Sequence, residues 1–492
     1  MSPTDDIDRR LALKLLGGVG VLGTVGTGVS LAQAGSETGS DGSDSNDESD
    51  GSGEQSPMVA WRHTYENDPR DPPTLVDGLV AAATTADGYL FAGNARDRFR
   101  DPGNKRRMYL LWTDEAGEAQ RMGLYGDGAA VLNGMIEADD GYLLVGSRTP
   151  KDSSDQRALA VKVGSDHEQQ WRYEYDPEDG SDAAFADATV TDGGYVVSGH
   201  TSDGELVLAH LAADGTEEWV TTYDGNSLDE ESVAVVPSVD GGFVVLEQYG
   251  VSVALVKFSD DGEAVWEYNR KVAGQITGGD MVAVEDGYTF VGTGPRGGDR
   301  VDVVLESVAP DGSSRWEQSY DAAGREEYGF GLVTTDDGYA VAGLAGTGDR
   351  DGQDRDAALL TTDRDGTLRT FTTVGDANLS QSAAGIAATD DGYVLAGRAD
   401  DDTQDPTDPS SFLCKLTTGG DVDDDAGETG DSSDGSGDDS TGDHDDSTGD
   451  HDDSTGDSDD STGDSDDSTD GSGDGTDDGS DEDTAPDDPD EC

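Results

Sequence analysis

Cysteine is nearly absent. The 492 residues hold two, Cys414 inside an apolar run and Cys492 in the last position, so neither a disulfide framework nor a zinc spacing can be drawn. Lysine is scarce as well: six lie between Met58 and Gly420, where arginine supplies most of the positive charge. Positive charge of either kind is short, with 30 Lys and Arg against 109 Asp and Glu and a formal net charge of -79. That balance argues against nucleic acid as a partner of the domain as a whole, because a phosphate backbone calls for a basic footprint. Long apolar runs are missing too. The stretch from Leu11 to Ala34 is broken by glycines and carries Lys14, so no transmembrane segment is expected in the mature chain. Catalytic signatures are equally lacking: there is no Gly-x-Ser-x-Gly elbow, no His-Glu-x-x-His pair and no Gly-rich phosphate loop. Of six histidines, His444 and His451 lie in an acidic tail, His63 and His210 on strand-like runs and His167 at a turn, which leaves His200 as the one to test.

The charge is unevenly spread. From Asp421 onward there are 32 acidic residues and no Lys or Arg, and the region between Met58 and Gly420 carries a net of -40. A folded region this acidic repels itself in dilute buffer, and strong salt removes most of that cost because the Debye length falls to about 3 Å at 1 M. In this the composition resembles a halophilic, archaeal protein. Arg9-Arg10 ahead of Leu11 and Leu13 resembles a twin-arginine export signal, with Ala32-Gln33-Ala34 as a cleavage site. Four zones are expected: a signal peptide over 1–34, a disordered Ser/Gly/Asp linker over 35–57, folded repeats over 58–420 and a disordered acidic tail over 421–492. The expected location is extracellular or at the cell surface.

What the chain has in abundance is repetition. Tyr89, Tyr142, Tyr195, Phe243, Tyr288, Tyr339 and Tyr393 recur every 45 to 54 residues, each just after a Gly and each opening an apolar run. Periods close to this belong to propeller blades. The third repeat shows four such runs, 183–190, 195–199, 206–211 and 219–223, with Asp192-Gly193 and Asp214-Gly215 as hairpin turns. Trp61, Trp171, Trp219, Trp266 and Trp316 recur in the fourth run, with Arg121 and Phe371 in the two remaining places. These aromatics are expected to be buried where one sheet lies on the next. A lone fourth-type run, Trp61 to Tyr65, precedes the first repeat, and the last repeat ends on a third-type run, Phe412 to Leu416. Pairing the one with the other closes a ring, which leaves only short, protected sheet edges. The expected fold is all-β: a seven-bladed β-propeller of four-stranded antiparallel blades, closed by the N-terminal strand.

The turn between the third and fourth runs reads Asp-Gly-x-x-x-Trp at Asp214 to Trp219, Asp261 to Trp266 and Asp311 to Trp316. Through that motif the repeat region resembles secreted β-propellers of the PQQ-like repeat type. The resemblance implies the propeller fold. It also brings in quinone-dependent oxidoreductases, but quinone enzymes of that class add calcium ligands and an adjacent disulfide, and no vicinal cysteines are present here.

Turns from the first to the second run, and from the third to the fourth, are short and uniform; the other loops vary, and they share the opposite face. Binding residues usually sit on such variable loops. Arg96, Arg98, Arg100, Lys105, Arg106 and Arg107 crowd into one of them and form an anion-binding candidate, since guanidinium groups suit carboxylate and sulfate. Asp349, Asp351, Asp354 and Asp356 alternate around a Gly like a calcium loop and form a metal candidate, calcium being the one cofactor considered. Asn378 heads a glycosylation sequon. No catalytic residue is assigned. The expected function is an exported, non-catalytic propeller that binds a cell-surface polymer or an envelope protein through its loop-decorated face. The alternative is a secreted glycan hydrolase or lyase using carboxylates in the central funnel, and a quinone-dependent oxidoreductase comes third. Oligomeric state is left open.

Overall fold

Continuous apolar runs alternate with two-residue polar turns along the repeat region, and each run becomes a strand. The computed structural model describes residues 57–65, 74–97, 105–126, 129–151, 153–224, 230–249, 252–269, 277–297, 300–322, 326–346, 355–375, 379–401 and 410–418. The expected signal peptide, all of the expected linker but Pro57, and the acidic stretch 421–492 lie outside these residues.

All the regular structure among the described residues is β. The chain opens with β1 (Met58–Tyr65). Blade 1 follows as β2 (Thr74–Thr85), β3 (Gly88–Asp97), β4 (Arg106–Asp114) and β5 (Ala119–Tyr125). Blade 2 is β6 (Ala129–Ala138), β7 (Gly141–Thr149), β8 (Arg157–Gly164) and β9 (Gln169–Tyr175). Blade 3 is β10 (Ala183–Thr191), β11 (Gly194–Thr201), β12 (Leu206–Ala212) and β13 (Glu217–Tyr223). Blade 4 is β14 (Glu230–Pro237), β15 (Phe243–Tyr249), β16 (Ser252–Phe258) and β17 (Ala264–Asn269). Blade 5 is β18 (Thr277–Val284), β19 (Gly287–Gly297), β20 (Arg300–Val308) and β21 (Ser314–Tyr320). Blade 6 is β22 (Glu327–Thr335), β23 (Gly338–Gly346), β24 (Arg355–Asp363) and β25 (Leu368–Val374). Blade 7 has only β26 (Leu379–Thr389), β27 (Gly392–Asp401) and β28 (Ser410–Thr417) of its own.

β1 completes it. The seventh sheet runs β1-β28-β27-β26, with Trp61 opposite Lys415 and Arg62 opposite Cys414. The pairing carries the same irregularity as the other third-to-fourth pairs: the register slips between Val59 and Trp61, as it does at His210/Leu211 and Lys257/Phe258. The expected ring closure is therefore borne out, down to a bulge that recurs at that place in every blade.

The core is divided among the seams between neighbouring blades. One apolar cluster joins blades 1 and 2 through Leu90, Met108, Leu110, Leu144 and Leu159. Another joins blades 7 and 1 through Phe91, Tyr109, Val394 and Leu413, with Trp61 and Tyr65 packed against it. Second and third strands are covered on both sides and read as unbroken apolar runs. Fourth strands are half-covered and alternate, as in β13, where only every second residue is sheltered. The innermost strands approach so closely that a Cβ on Gly385 of blade 7 would lie 2.7 Å from the Ala81 backbone of blade 1.

The tryptophans hold adjacent blades together, but they are half-buried, not buried as expected. Each lies over the turn of the following blade. Trp171 Nε1 donates to Ala213 O at 3.0 Å, and Trp61 Nε1 to Glu115 O at 2.8 Å. The turn must therefore present a bare Cα: Gly215 has φ +82°, and a Cβ there would lie 2.5 Å from the Trp171 ring.

Candidate functional site

Antiparallel strands put the first-to-second and third-to-fourth turns at one end of the ring. These are two to five residues long, and the loops at the other end run from two to eight. The cations divide between the two ends. Lys162 and Lys415 on third strands are buried at the short-turn end, where each binds the aspartate of its own blade's first turn: Lys162 Nζ meets Asp140 at 2.6 Å, and Lys415 meets Asp391. Those aspartates are held below the usual carboxylate range, first by the lysine hydrogen bond. Several arginines lie at the long-loop end.

There the β3–β4 hairpin sets Arg96 directly opposite Arg106, and Ala95 opposite Arg107. All three arginines and Lys105 are half-buried. Three of the six cations expected in a loop, Arg96, Arg106 and Arg107, thus lie in strands. Two of the four described cations, Arg96 and Arg106, face each other across the ladder. Arg107 turns the other way and donates to Tyr125 O at 3.4 Å. Arg98 and Arg100 lie outside the described residues.

Sidedness follows from the core. Leu90, Met108 and Leu110 enter the seam between blades 1 and 2, so Arg96 and Arg106, at the same parity on the same strands, project into that seam. From the other wall, Leu144, Leu159 and Val161 enter it, and so do Arg148 and Arg157, again directly opposite each other. Glu174 sits between these two: Arg148 binds its Oε1, Arg157 approaches Oε2 at 3.7 Å, and Arg172 Nε lies 3.3 Å from Oε1. Arg157 also meets Asp176 at 2.8 Å. Sequence reading found the blade 1 cations because they are contiguous. It missed those of blade 2, which are spread over three strands and marked in the sequence only by Arg flanking both ends of the β7–β8 loop.

Of the metal candidates only Asp356 is described. It lies on β24 opposite Ala345, with its carboxylate against Gly375. Asp349, Asp351, Asp354 and the sequon residue Asn378 lie outside the described residues. A carboxylate group not expected from sequence is Asp302, Asp321 and Glu327, whose oxygens come within 4.8 Å of one another at the long-loop end of the seam between blades 5 and 6. Oxygen donors of this kind suit a hard cation. His200 is half-buried near the end of β11, opposite Leu206.

Two further carboxyls sit in the innermost strands, each just after a register slip in the first-to-second pairing, at Phe185/Asp187 and Gly278/Asp280. Asp187 Oδ2 accepts from Val235 N at 2.8 Å in the next blade, and Asp280 Oδ2 from Leu332 N at 2.7 Å. Burial pushes Asp187 up to about 7 against the pull of the Val235 and Ala188 amides. Burial also raises Asp280 well above the ordinary carboxylate value, and the charge of Asp187 adds to it. At 3% and 0% exposure, neither reaches solvent or a ligand.

No curated protein matches this chain. Solved structures of similar fold include virginiamycin B lyase from Staphylococcus aureus, at 9% identity over 72% of this chain and 98% of that one, with a TM-score of 0.44. A protein from Lactobacillus plantarum is 13% identical over 61% and 85%, with a TM-score of 0.41. The β-propeller domain of the Trilobed protease from Pyrococcus furiosus is 8% identical over 70% and 95%, with a TM-score of 0.42. Residues 154–336, the stretch that holds the intact Asp-Gly-x-x-x-Trp turns, match the family described as outer membrane protein assembly factor BamB.

Proposed function

We propose that this chain is an exported, non-catalytic propeller that binds an anionic cell-surface polymer or an acidic envelope protein through its long-loop face. The observation that carries this is the placement of Arg96 opposite Arg106 at that face, in a chain of net charge -79. Guanidinium forks on facing strands suit the planar, two-oxygen geometry of a carboxylate or sulfate. The match to a family described as an assembly factor supports a binding role over a catalytic one. A hydrolase would need carboxylates within reach of substrate, whereas the two perturbed carboxyls of the inner ring are enclosed and bonded to backbone amides. Twin-arginine export and a hypersaline setting go with this reading, through Arg9-Arg10 and the acidic composition.

The test is retention on an immobilised acidic polysaccharide. Replacing Arg96, Arg106 and Arg107 by Ser weakens binding about tenfold or more, since each lost charge-assisted bond counts. Replacing Arg315 and Arg369, at the short-turn end, leaves it unchanged. Equal losses from both sets would mean that only overall charge matters and would end the proposal.

A further inference from the structure

None of the seven innermost strands carries a Lys, an Arg or a His. The hub of the ring therefore has acidic groups and no cation on its own strands. Two of those acids, Asp187 on β10 and Asp280 on β18, are 3% and 0% exposed. Each fastens its blade to the next. Asp187 accepts from Val235 N of blade 4 and from its neighbour Ala188 N, and Asp280 from Leu332 N of blade 6 and from its neighbour Met281 N. The other five blades have Ala or Gly at this place: Ala81, Gly134, Ala234, Gly331 and Gly385. Their joints are made without an ionisable group there. A Cβ on Gly331 would lie 2.5 Å from Ala384 O of blade 7, and Asn94 of blade 1 both donates to and accepts from the Leu132 backbone of blade 2.

The charges on the surrounding strands are engaged elsewhere. Against β10, Lys162 is held by Asp140 at the short-turn end, and Arg148 and Arg157 hold Glu174 at the long-loop end. Tyr195 and His200 on β11 stand opposite Val190 and Ala184, toward the two ends of β10. Glu137 on β6, and Glu230 and Glu231 on β14, are acids and bring no compensation. Against β18, Lys257 is held by Asp240 at the short-turn end, Arg296 lies near the end of β19, and Glu247 on β15 and Glu327 on β22 are again acids. Tyr142, Tyr249, Tyr288 and Tyr328 on these neighbouring strands are neutral through the physiological range. Among the described residues no cation bears on either carboxyl, and Asp280 is further opposed by the like charge of Asp187.

The closure between β1 and β28 is tied by groups of another kind. Trp61 Nε1 donates to Glu115 O and His63 Nε2 to Ala116 O, both in the turn of blade 1, and Arg62 Nη1 donates to Gly375 O of blade 6. An imidazole can donate from Nε2 whether neutral or charged. We infer that the hub is a pH-sensitive joint: as the pH rises, blades 4 and 5 loosen from blades 3 and 6, where the two carboxyl bridges sit, while the β1–β28 closure holds. A charge that forms in so enclosed a place, with no cation beside it, must draw in water or leave. Either way β14 and β22 lose their hub bonds. Burial holds Asp187 up to about 7 in the folded ring, so its bridge is intact in acid and is lost as the pH passes neutrality. The two bridges flank the same pair of blades and so release one segment. The arginines of blades 1 and 2 belong to the part that stays fixed.

The experiment is hydrogen exchange of the full chain in multimolar salt at about pH 5 and pH 8, with exposure times scaled for the intrinsic pH dependence of exchange. Protection of peptides spanning β14 and β22 falls about tenfold or more between the two conditions, since each pH unit across such a titration shifts the opening equilibrium by about tenfold. Peptides spanning β1 and β28 keep their protection. In the double variant Asp187→Asn with Asp280→Asn, whose side chains keep their shape and stay neutral, β14 and β22 keep theirs at the higher pH as well. The comparison of β14 and β22 with β1 and β28 in the unaltered chain needs no variant, and it decides the matter should the double variant fold poorly. If β1 and β28 lose protection first, the ring opens at its closure and the inference fails. If all strands lose it together, the wheel responds as a whole and the hub is no separate joint. An undiminished loss in the double variant puts the sensitivity in other groups and overturns the inference equally.

Discussion

At the scale of single residues, the break in the tryptophan series is an exchange across a strand pair. In blades 2, 4 and 7 a third-strand lysine faces a fourth-strand tryptophan: Lys162 with Trp171, Lys257 with Trp266, Lys415 with Trp61. Blade 1 reverses the pair, with Trp112 on the third strand facing Arg121 on the fourth. The next blade's turn answers the change. Where Gly215 must stay bare beneath Trp171, the turn of blade 2 carries His167 at φ 66°, packed on the Trp112 ring at 4.5 Å. A histidine in the left-handed region costs about 1 kcal/mol, and the aromatic contact returns about as much. His167→Gly is therefore expected to be nearly neutral. Arg121→Trp forces an indole onto the histidine and costs about 1–3 kcal/mol. Both changes together give the bare turn and fourth-strand tryptophan of blades 2 and 3, with Trp112 kept on the third strand. A denaturation cycle over the four proteins should give a favourable coupling of about 1–2 kcal/mol; additive effects would show that the two positions do not answer each other. The sequence made Arg121 visible as a gap in a series. Its meaning needed the register that sets it against Trp112.

At the scale of elements, the innermost strands are joined by side chains that cross from one blade to the next. Asn133 Nδ2 donates to Phe185 O at 2.7 Å, and Asp187 and Asp280 accept from the following blade. Burial favours the neutral form of both carboxyls over the pull of the amides that donate to them. No cation among the described residues offsets them, and Asp187 Oδ1 is buried without a hydrogen-bond partner there. Because the folded-state value of Asp187 is raised from 3.8 to about 7, the folded protein keeps a proton that the unfolded chain gives up. Its contribution is fully present below pH 3.8 and is lost as the pH rises, with the loss complete just above 7. The full swing for this one group is about 4 kcal/mol, and Asp280, also raised by burial, acts in the same direction. Stability in multimolar salt should thus fall between about pH 4 and pH 7. In Asp187→Asn, and in Asp187→Ala, which copies the residue that blades 1 and 4 carry here as Ala81 and Ala234, the slope should flatten. Parallel midpoint-against-pH curves for the three proteins would show that Asp187 is ionised throughout. Among 109 acidic residues nothing in the sequence marks these two, because what sets them apart is position one place after a bulge.

At the scale of the whole molecule, the wheel was legible because its period is written in large residues: seven aromatics after glycines, and a fourth-type run displaced to the front of the chain. The division into a short-turn face and a long-loop face followed from strand order alone. The arginine seam did not, because its two walls lie on different repeats and only the parity of each strand against its neighbour's core tells which way a side chain points. Closure itself can be tested covalently. Arg62 and Cys414 are directly opposite in the β1–β28 ladder, where Cα atoms lie about 4.5–5.5 Å apart, within the span of a disulfide. Arg62 is exposed, and its substitution gives up contacts that include a bond from Nη1 to Gly375 O. Burial pushes the Cys414 thiol up to about 12, so oxidation has to start at the new, exposed cysteine. In a Cys492→Ser background, Arg62→Cys should lose both thiols to a mild oxidant and gain about 3–5 kcal/mol, since the bond closes nearly the whole propeller into a loop. The gain should vanish on reduction. If both thiols persist in the folded protein, β1 does not lie against β28, and the seventh blade is not completed by the strand that opens the ring.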